Sequence, residues 1–327
     1  MSYEPPAPLP ASPARRPSVP KRLASASLAL AVAITGFLAA DGRPEPSRSG
    51  PGTSAPLPVS TSAPLAQGAA PVTPAIPVVR APSAILVDLA TDRVLFAKDP
   101  RRRLPIASLT KIMTGLLVVE RERDLSATVV VSLRAARTDP IDIGLVPNER
   151  TTVRALLYGL LLWSGNDAAV ALAEHVGGSV PGFLHLMNAK AKKLGLADTY
   201  FASTNGLNDH GFSTAADLAA LTRAALREAT FAQVVATARR TIVGPKAQAV
   251  HRLHNLNAML TTYPGSIGVK TGYTSAAGNC VVEAARRDGR TLIAVVLGDS
   301  PSTHWRDAYG DARTLLDYGF ASNASPA

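Results

Sequence analysis

The sequence predicts an α+β fold, an antiparallel sheet flanked by helices with a helical lobe inserted within it. Two observations carry that expectation. Strand-like runs stand at both ends of the globular region, at residues 83–88 and 93–97 near its start and at 267–270, 279–286 and 291–297 near its end. Between them lie runs with helical periodicity, each closed by glycine or loop signals. The Asp288-Gly289 pair between two apolar runs is a tight hairpin turn, and Thr91-Asp92 does the same work earlier.

The chain opens differently. Residues 1–22 are proline-rich and basic and read as a cytoplasmic N-terminus. Residues 23–40, LASASLALAVAITGFLAA, carry no charge, and their length lies between a signal-peptide core and a full membrane span. Positive charges before this segment orient it, so that everything after it is expected outside the cytoplasmic membrane, anchored there or secreted to the wall. Residues 41–81 are rich in Pro, Ala and Ser and read as an extended, disordered linker. The catalytic domain is expected at 82–322, with a short tail at 323–327.

Taken in order, the globular part begins with the hairpin around Thr91-Asp92. A buried helix follows from Ala107, then a short strand at 129–131. Residues 153–163 are helical, Ser164-Gly165-Asn166 breaks the run, and a second helix goes from Asp167 to Val176, where Gly177-Gly178 stops it. Further helices are expected at 181–194, 214–229 and 305–316.

Composition narrows the function. The 327 residues carry a formal charge of +10, compatible with an acidic polymer or an anionic lipid surface. The basic residues are scattered without interleaved aromatics, which argues against nucleic-acid binding. Cys280 is the single cysteine, which excludes an intrachain disulfide and a cysteine zinc cluster. His251 and His254 lack an identifiable third ligand, so no metal or other cofactor is expected.

Three short motifs carry chemistry. Ser108-Leu109-Thr110-Lys111 places a hydroxyl and an amine three residues apart, on one helical face. A lysine takes a serine proton only when burial or a neighbouring cation lowers its pKa. The structural alternative for Ser108 is a helix cap. Ser164 and Asn166, at a helix break, offer a proton relay and an amide, or ordinary turn chemistry. Lys270-Thr271-Gly272 ends a strand. There Lys270 can be the second cation, and Gly272 lets a substrate backbone approach.

Ser-x-x-Lys, Ser-x-Asn and Lys-Thr-Gly in this order resemble the signature of penicillin-binding proteins. The stretches IASLTKIMTGLL, LLYGLLLWSGNDAAVALAEHVGGS, STNGL, HNLNAMLTTYPGSIGVKTGYTSAAGNC and LLDYGF are similar to the serine D-alanyl-D-alanine carboxypeptidases of the S11 peptidase family. The resemblance implies the β-lactamase/penicillin-binding-protein-like transpeptidase fold. It implies that the chain removes the terminal D-alanine from peptidoglycan stem peptides, with a role in wall biogenesis and cell shape, and is acylated by β-lactams. Ser108 would be the nucleophile, Lys111 the general base and Ser164 the proton shuttle. Asn166 would position substrate and Lys111. Lys270 with Thr271 would hold the terminal carboxylate beside Gly272, and the N–H groups of Ser108 and Tyr273 would form the oxyanion hole. Pro147-Asn148-Glu149 stands where relatives have a glycine-containing turn, and the loop at 201–207 lacks a usual proline. A β-lactamase would add a deacylating glutamate in a Glu-x-x-Leu-Asn-type stretch, which is missing. A wall-binding module without catalysis would not need paired Ser108 and Lys111.

Overall fold

The structure, a computed structural model, describes residues 74–243, 249–299 and 306–322. The basic N-terminus, the apolar segment at 23–40, most of the linker and the tail lie outside these residues. No helix among the described residues is long and apolar enough to cross a membrane.

The chain enters through β1 (Ser83–Asp88) and β2 (Val94–Lys98), an antiparallel hairpin. Its turn is held by the Asp88 carboxylate, which accepts from the N–H groups of Ala90 and Thr91. A single 3-10 turn, Ala107–Thr110, leads into α1 (Lys111–Arg121), the helix at the centre of the fold. Every residue of α1 from Lys111 to Val118 is buried. A small outer layer follows, with β3 (Thr128–Val130), α2 (Leu133–Ala136) and β4 (Arg150–Thr152), β3 pairing with β4.

The helical lobe is α3 (Val153–Leu161), α4 (Asn166–Gly177), α5 (Val180–Lys193), α6 (Ala215–Leu226) and α7 (Ala229–Val235). Thr152, Ser179 and Thr214 cap α3, α5 and α6 by accepting a backbone N–H with their hydroxyls. Gly178 ends α4 at φ +69°, a conformation cheap only for glycine. The helix expected at 214–229 is α6, which stops at Leu226; after an extended Glu228 the chain starts α7, a helix the sequence did not lead us to expect.

A hairpin of β5 (Arg239–Val243) and β6 (Val250–His254) was not foreseen. It buries only Ile242, His251 and Leu253, too few for a visible alternation of apolar residues. After α8 (Met259–Thr262) come β7 (Ser266–Thr274), β8 (Gly278–Arg287), β9 (Arg290–Asp299) and α9 (Arg306–Ala321). The β8–β9 turn is the expected one, with Asp288 at φ +49° and Gly289 at φ +76°.

The five-stranded sheet has the order β2-β1-β9-β8-β7, all neighbours antiparallel. It is buried on both faces, which explains the uninterrupted apolar run at 292–297. Leu292, Ala294 and Val296 pack with Ala308, Ala312, Leu315 and Leu316 of α9. Ile293, Val295 and Leu297 face α1 and the helical lobe. Strand β7 is therefore an edge strand, with one row of backbone groups turned away from the sheet. Val79 and Ala81, in the stretch read as linker, are buried in the α9 layer. The Ala81 N–H donates to Asp311 at 2.8 Å and Lys98 Nζ to the Val79 carbonyl at 2.7 Å.

One carboxyl secures the start of β7. Glu283 on β8 is fully buried; Asn257 Nδ2 donates to it at 2.7 Å, and so does the Ser266 hydroxyl. Burial pushes its pKa up to about 8, the two hydrogen bonds opposing that rise. As pH climbs from 4.5 to about 8, the unfolded chain releases this proton while the folded chain keeps it, so the contribution to stability is present at low pH and is lost on the way up. Glu283→Gln is expected to flatten that part of the pH–stability curve, measured by urea unfolding. Parallel curves for variant and parent contradict the assignment.

Candidate active site

Three segments remote in sequence meet where the 3-10 turn, the α3–α4 break and the edge strand β7 converge. Ala107 precedes the nucleophile candidate at φ +46°, a strained value for a residue with a side chain. Two glycines make room for this turn. A Cβ on Gly206, itself at φ +88°, would fall 1.9 Å from the Ala107 carbonyl oxygen. A Cβ on Gly272 would fall 2.9 Å from the Ser108 nitrogen. The peptide at Ala107-Ser108 is thus pressed between the 203–208 loop and β7. Within 106–110, Ser108 alone among the motif's apolar and hydroxyl neighbours is only partly buried, so its hydroxyl is reachable. Ser108 lies inside the 3-10 turn, and neither helix cap there uses a side chain. The helix-cap alternative is therefore not what this serine does.

Lys111 is fully buried at the first position of α1. Its Nζ lies 2.9 Å from Ser108 Oγ, 2.7 Å from Asn166 Oδ1 and 2.7 Å from the Asn205 carbonyl oxygen. Two of these partners are acceptors only. The Ser108 hydroxyl can accept or donate: a charged amine gives one N–H to each of the three oxygens, and the neutral form gives its two to Asn166 and Asn205 and turns its lone pair to the Ser108 O–H. Burial, and next to it the charge of Lys270, hold the Lys111 pKa well below 10.5; Asp167 partly opposes them. The arrangement can draw a proton from the serine hydroxyl to the amine.

Asn166 is oriented by a second bond, its Nδ2 donating to the Pro140 carbonyl. It begins α4 rather than capping it, since Gly165 holds the cap position. Ser164, at φ +66°, places its hydroxyl oxygen in the interior without a hydrogen-bond partner among the described residues. A buried unpaired hydroxyl costs about 1–3 kcal/mol, so it marks a site held ready for another group.

Lys270 is 2 % exposed and its Nζ donates to the Thr271 carbonyl at 2.9 Å. Burial pulls its pKa down to about 7. By strand alternation Lys270, Gly272 and Thr274 share one face, the face that Gly272 presents to Ser108. Thr271 is buried, its side chain turned by the same alternation to the other face, and Tyr273 is 38 % exposed at the edge.

Sequence reasoning missed the residues that act through their backbone or through remote pairing. The Asn205 carbonyl and Gly206 lie in a loop held on one side by Thr114, whose hydroxyl donates to the Thr204 carbonyl at 2.6 Å. On the other side Asn188 both donates to and accepts from the backbone of Phe201, at 2.9 Å each. That clamp stands where the usual proline is lacking. Asp167 accepts from the N–H groups of Ile143, Leu145 and Ala168, fixing the 139–147 loop that carries Pro140. His251 fastens the same loop, its ring nitrogens 2.8 Å from the Ile143 carbonyl and 2.8 Å from Glu149. His254, three residues on and so on the opposite face of β6, packs edge-on against Trp163. Asn148 at φ +65° supplies the left-handed residue expected of glycine in that turn.

Comparison with known proteins places the chain among relatives. The family model of D-alanyl-D-alanine carboxypeptidases, peptidase S11, matches residues 70–301. The chain is 39 % identical over 246 residues to the D-alanyl-D-alanine carboxypeptidase DacB2 of Mycobacterium tuberculosis, covering 73 % of this chain and 82 % of that protein. It is 35 % identical over 284 residues to the D-alanyl-D-alanine carboxypeptidase of Streptomyces sp. strain K15, covering 80 % and 96 %. DacF of Bacillus subtilis is 36 % identical over 246 residues; the match spans 74 % of this chain but only 62 % of DacF. Among solved structures, the Streptomyces K15 DD-transpeptidase superposes with a TM-score of 0.70 at 34 % identity, covering 75 % of this chain and 98 % of that one.

The amine assignment has a direct check. In NMR of protein labelled at the lysine 13Cε, Lys111 is expected to titrate well below 10.5. A Lys111 resonance that titrates at that ordinary value contradicts it.

Proposed function

The chain belongs to the peptidase S11 family of D-alanyl-D-alanine carboxypeptidases, and from that premise we propose that its reaction is the removal of the last D-alanine from peptidoglycan stem peptides through an acyl-enzyme on Ser108. The observation that carries the assignment of roles is the Lys111 amine, fully buried, 2.9 Å from Ser108 Oγ and held there by the Asn166 and Asn205 carbonyl oxygens.

Lys111 takes the Ser108 proton as Oγ attacks the carbonyl carbon of the penultimate D-alanine. The developing oxyanion is received by the N–H groups of Ser108 and Tyr273, which cost no reorganisation because the 3-10 turn and the strand edge already hold them. The Lys111 proton then passes by way of the Ser164 hydroxyl to the leaving D-alanine nitrogen as the C–N bond breaks. Water attacks the resulting ester, gives up a proton to Lys111 and releases the shortened peptide, restoring the Ser108 hydroxyl. Asn166 keeps Lys111 aligned and donates to the substrate backbone.

Lys270 has two tasks. As a cation it attracts the terminal carboxylate, with Thr271 beside it and Gly272 admitting the backbone. It also keeps a second positive charge off Lys111, since two ammonium groups in one dry pocket repel. An arriving carboxylate stabilises the charged form of Lys270. The same geometry supports acylation by β-lactams, whose amide occupies the place of the scissile bond. The site of action we propose is the cell wall outside the cytoplasmic membrane, reached through the apolar segment at 23–40.

Incubation with a peptide ending in D-Ala-D-Ala is expected to release free D-alanine, and Ser108→Ala to release none while keeping the parent's circular dichroism. No release by the folded parent overturns the reading. In Lys270→Gln the loss of the neighbouring charge raises the Lys111 pKa, so the acid limb of the acylation rate is expected to move to higher pH. A limb that stays in place separates the two lysines.

A further inference from the structure

The 203–210 loop touches the site at both ends. Its Gly206 lies against the Ala107-Ser108 peptide, and its Asp209 accepts a hydrogen bond from the Thr274 hydroxyl at 2.9 Å. The direction of that bond is fixed, because a carboxylate only accepts, and Thr274 Oγ1 in turn accepts from the Ala277 N–H at 3.1 Å. One oxygen of the Asp209 carboxylate is thereby held at a defined place on the rim, with lone pairs to spare. It lines an open cavity of about 470 Å3 together with Ser203, Leu207, Asn208 and His210.

The strand fixes what reaches that cavity. With the scissile carbonyl at the Tyr273 N–H and the terminal carboxylate toward Lys270, the substrate runs antiparallel to β7. The penultimate D-alanine then lies opposite Tyr273 and the last one opposite Gly272. The residue before the D-Ala-D-Ala pair lies opposite Thr274, about 3.4 Å further along the edge. Thr274 shares the face of Lys270 and Gly272, so its hydroxyl and Asp209 are on the substrate's side of the strand.

We propose that Asp209 is a specificity residue, selecting stem peptides whose third-from-last residue carries a free cationic amine on its side chain. This rests on the carboxypeptidase reading and on the register it gives. The amine of a diamino acid spans the cavity and meets the carboxylate oxygen left open by Thr274. Because Asp209 is exposed, the attraction is screened by salt and modest in size. Thr274 and the loop hold the carboxylate, so the substrate side chain supplies most of the ordering.

The test compares two acyl peptides, one with lysine and one with Nε-acetyl-lysine before D-Ala-D-Ala, by the kcat/KM for D-alanine release. The parent is expected to favour the free amine by about two- to fivefold at low salt. In Asp209→Asn the ratio falls to about one, and in Asp209→Lys it inverts. A ratio unchanged in both variants, with D-alanine still released, overturns the proposal and leaves the carboxypeptidase reading standing. No D-alanine from either peptide with the parent enzyme overturns both.

Discussion

A buried amine held against the nucleophile's hydroxyl is the constraint on which the site depends. Lys111 is enclosed by α1, by the α3–α4 break and by the 203–208 loop, and the Asn166 and Asn205 carbonyl oxygens each accept one of its N–H bonds. A charged lysine in such a place would face the desolvation penalty and the field of Lys270 together. The neutral form escapes both. In that form the lone pair is left for Ser108, since the Asn166 and Asn205 oxygens take both N–H bonds.

Most of the surrounding architecture holds that geometry still. The Ala107 peptide is strained and is kept so by backbone pressing on it from Gly206 and Gly272. The Asn166 amide is turned the right way by Pro140, whose loop is anchored by Asp167, His251 and Trp163; the Trp163 indole N–H donates to the Asp142 carbonyl at 2.8 Å. The sheet contributes rigidity, since β7 is buried along Gly268–Gly272 and carries Lys270 on a strand fixed at its start by Glu283. Strain at the nucleophile and a depressed lysine pKa are costs to folding, offset by a core of two packed layers on the two faces of one sheet.

Much of this was legible in the sequence, and the reasons differ between elements. Ser108 with Lys111, Ser164 with Asn166, and Lys270 with Gly272 are each compressed into three or four residues, so local spacing exposes them. The β8–β9 hairpin was legible because Asp-Gly has one natural use between apolar strands. The Asn205 carbonyl was not, since a backbone oxygen has no side-chain signature. Gly206 is one glycine among twenty-four, and only its φ and its distance to Ala107 show why it must lack a Cβ. The pairing of His251 with Glu149 joins residues 102 apart, and nothing local announces it. Glu283 stands inside the strand expected at 279–286, where a lone charge gives no sign of its surroundings, yet the fold buries it fully.

The claim at the centre of the account is that the Lys111 amine activates Ser108. Mass spectrometry of the penicillin-treated protein tests it most directly, by locating the adduct and timing its appearance in the parent and in Lys111→Gln. The account predicts a single adduct on Ser108 in the parent and none in the variant over the same interval. An adduct that forms on Ser108 as fast without the amine, or one that forms on another residue of the parent, would contradict it.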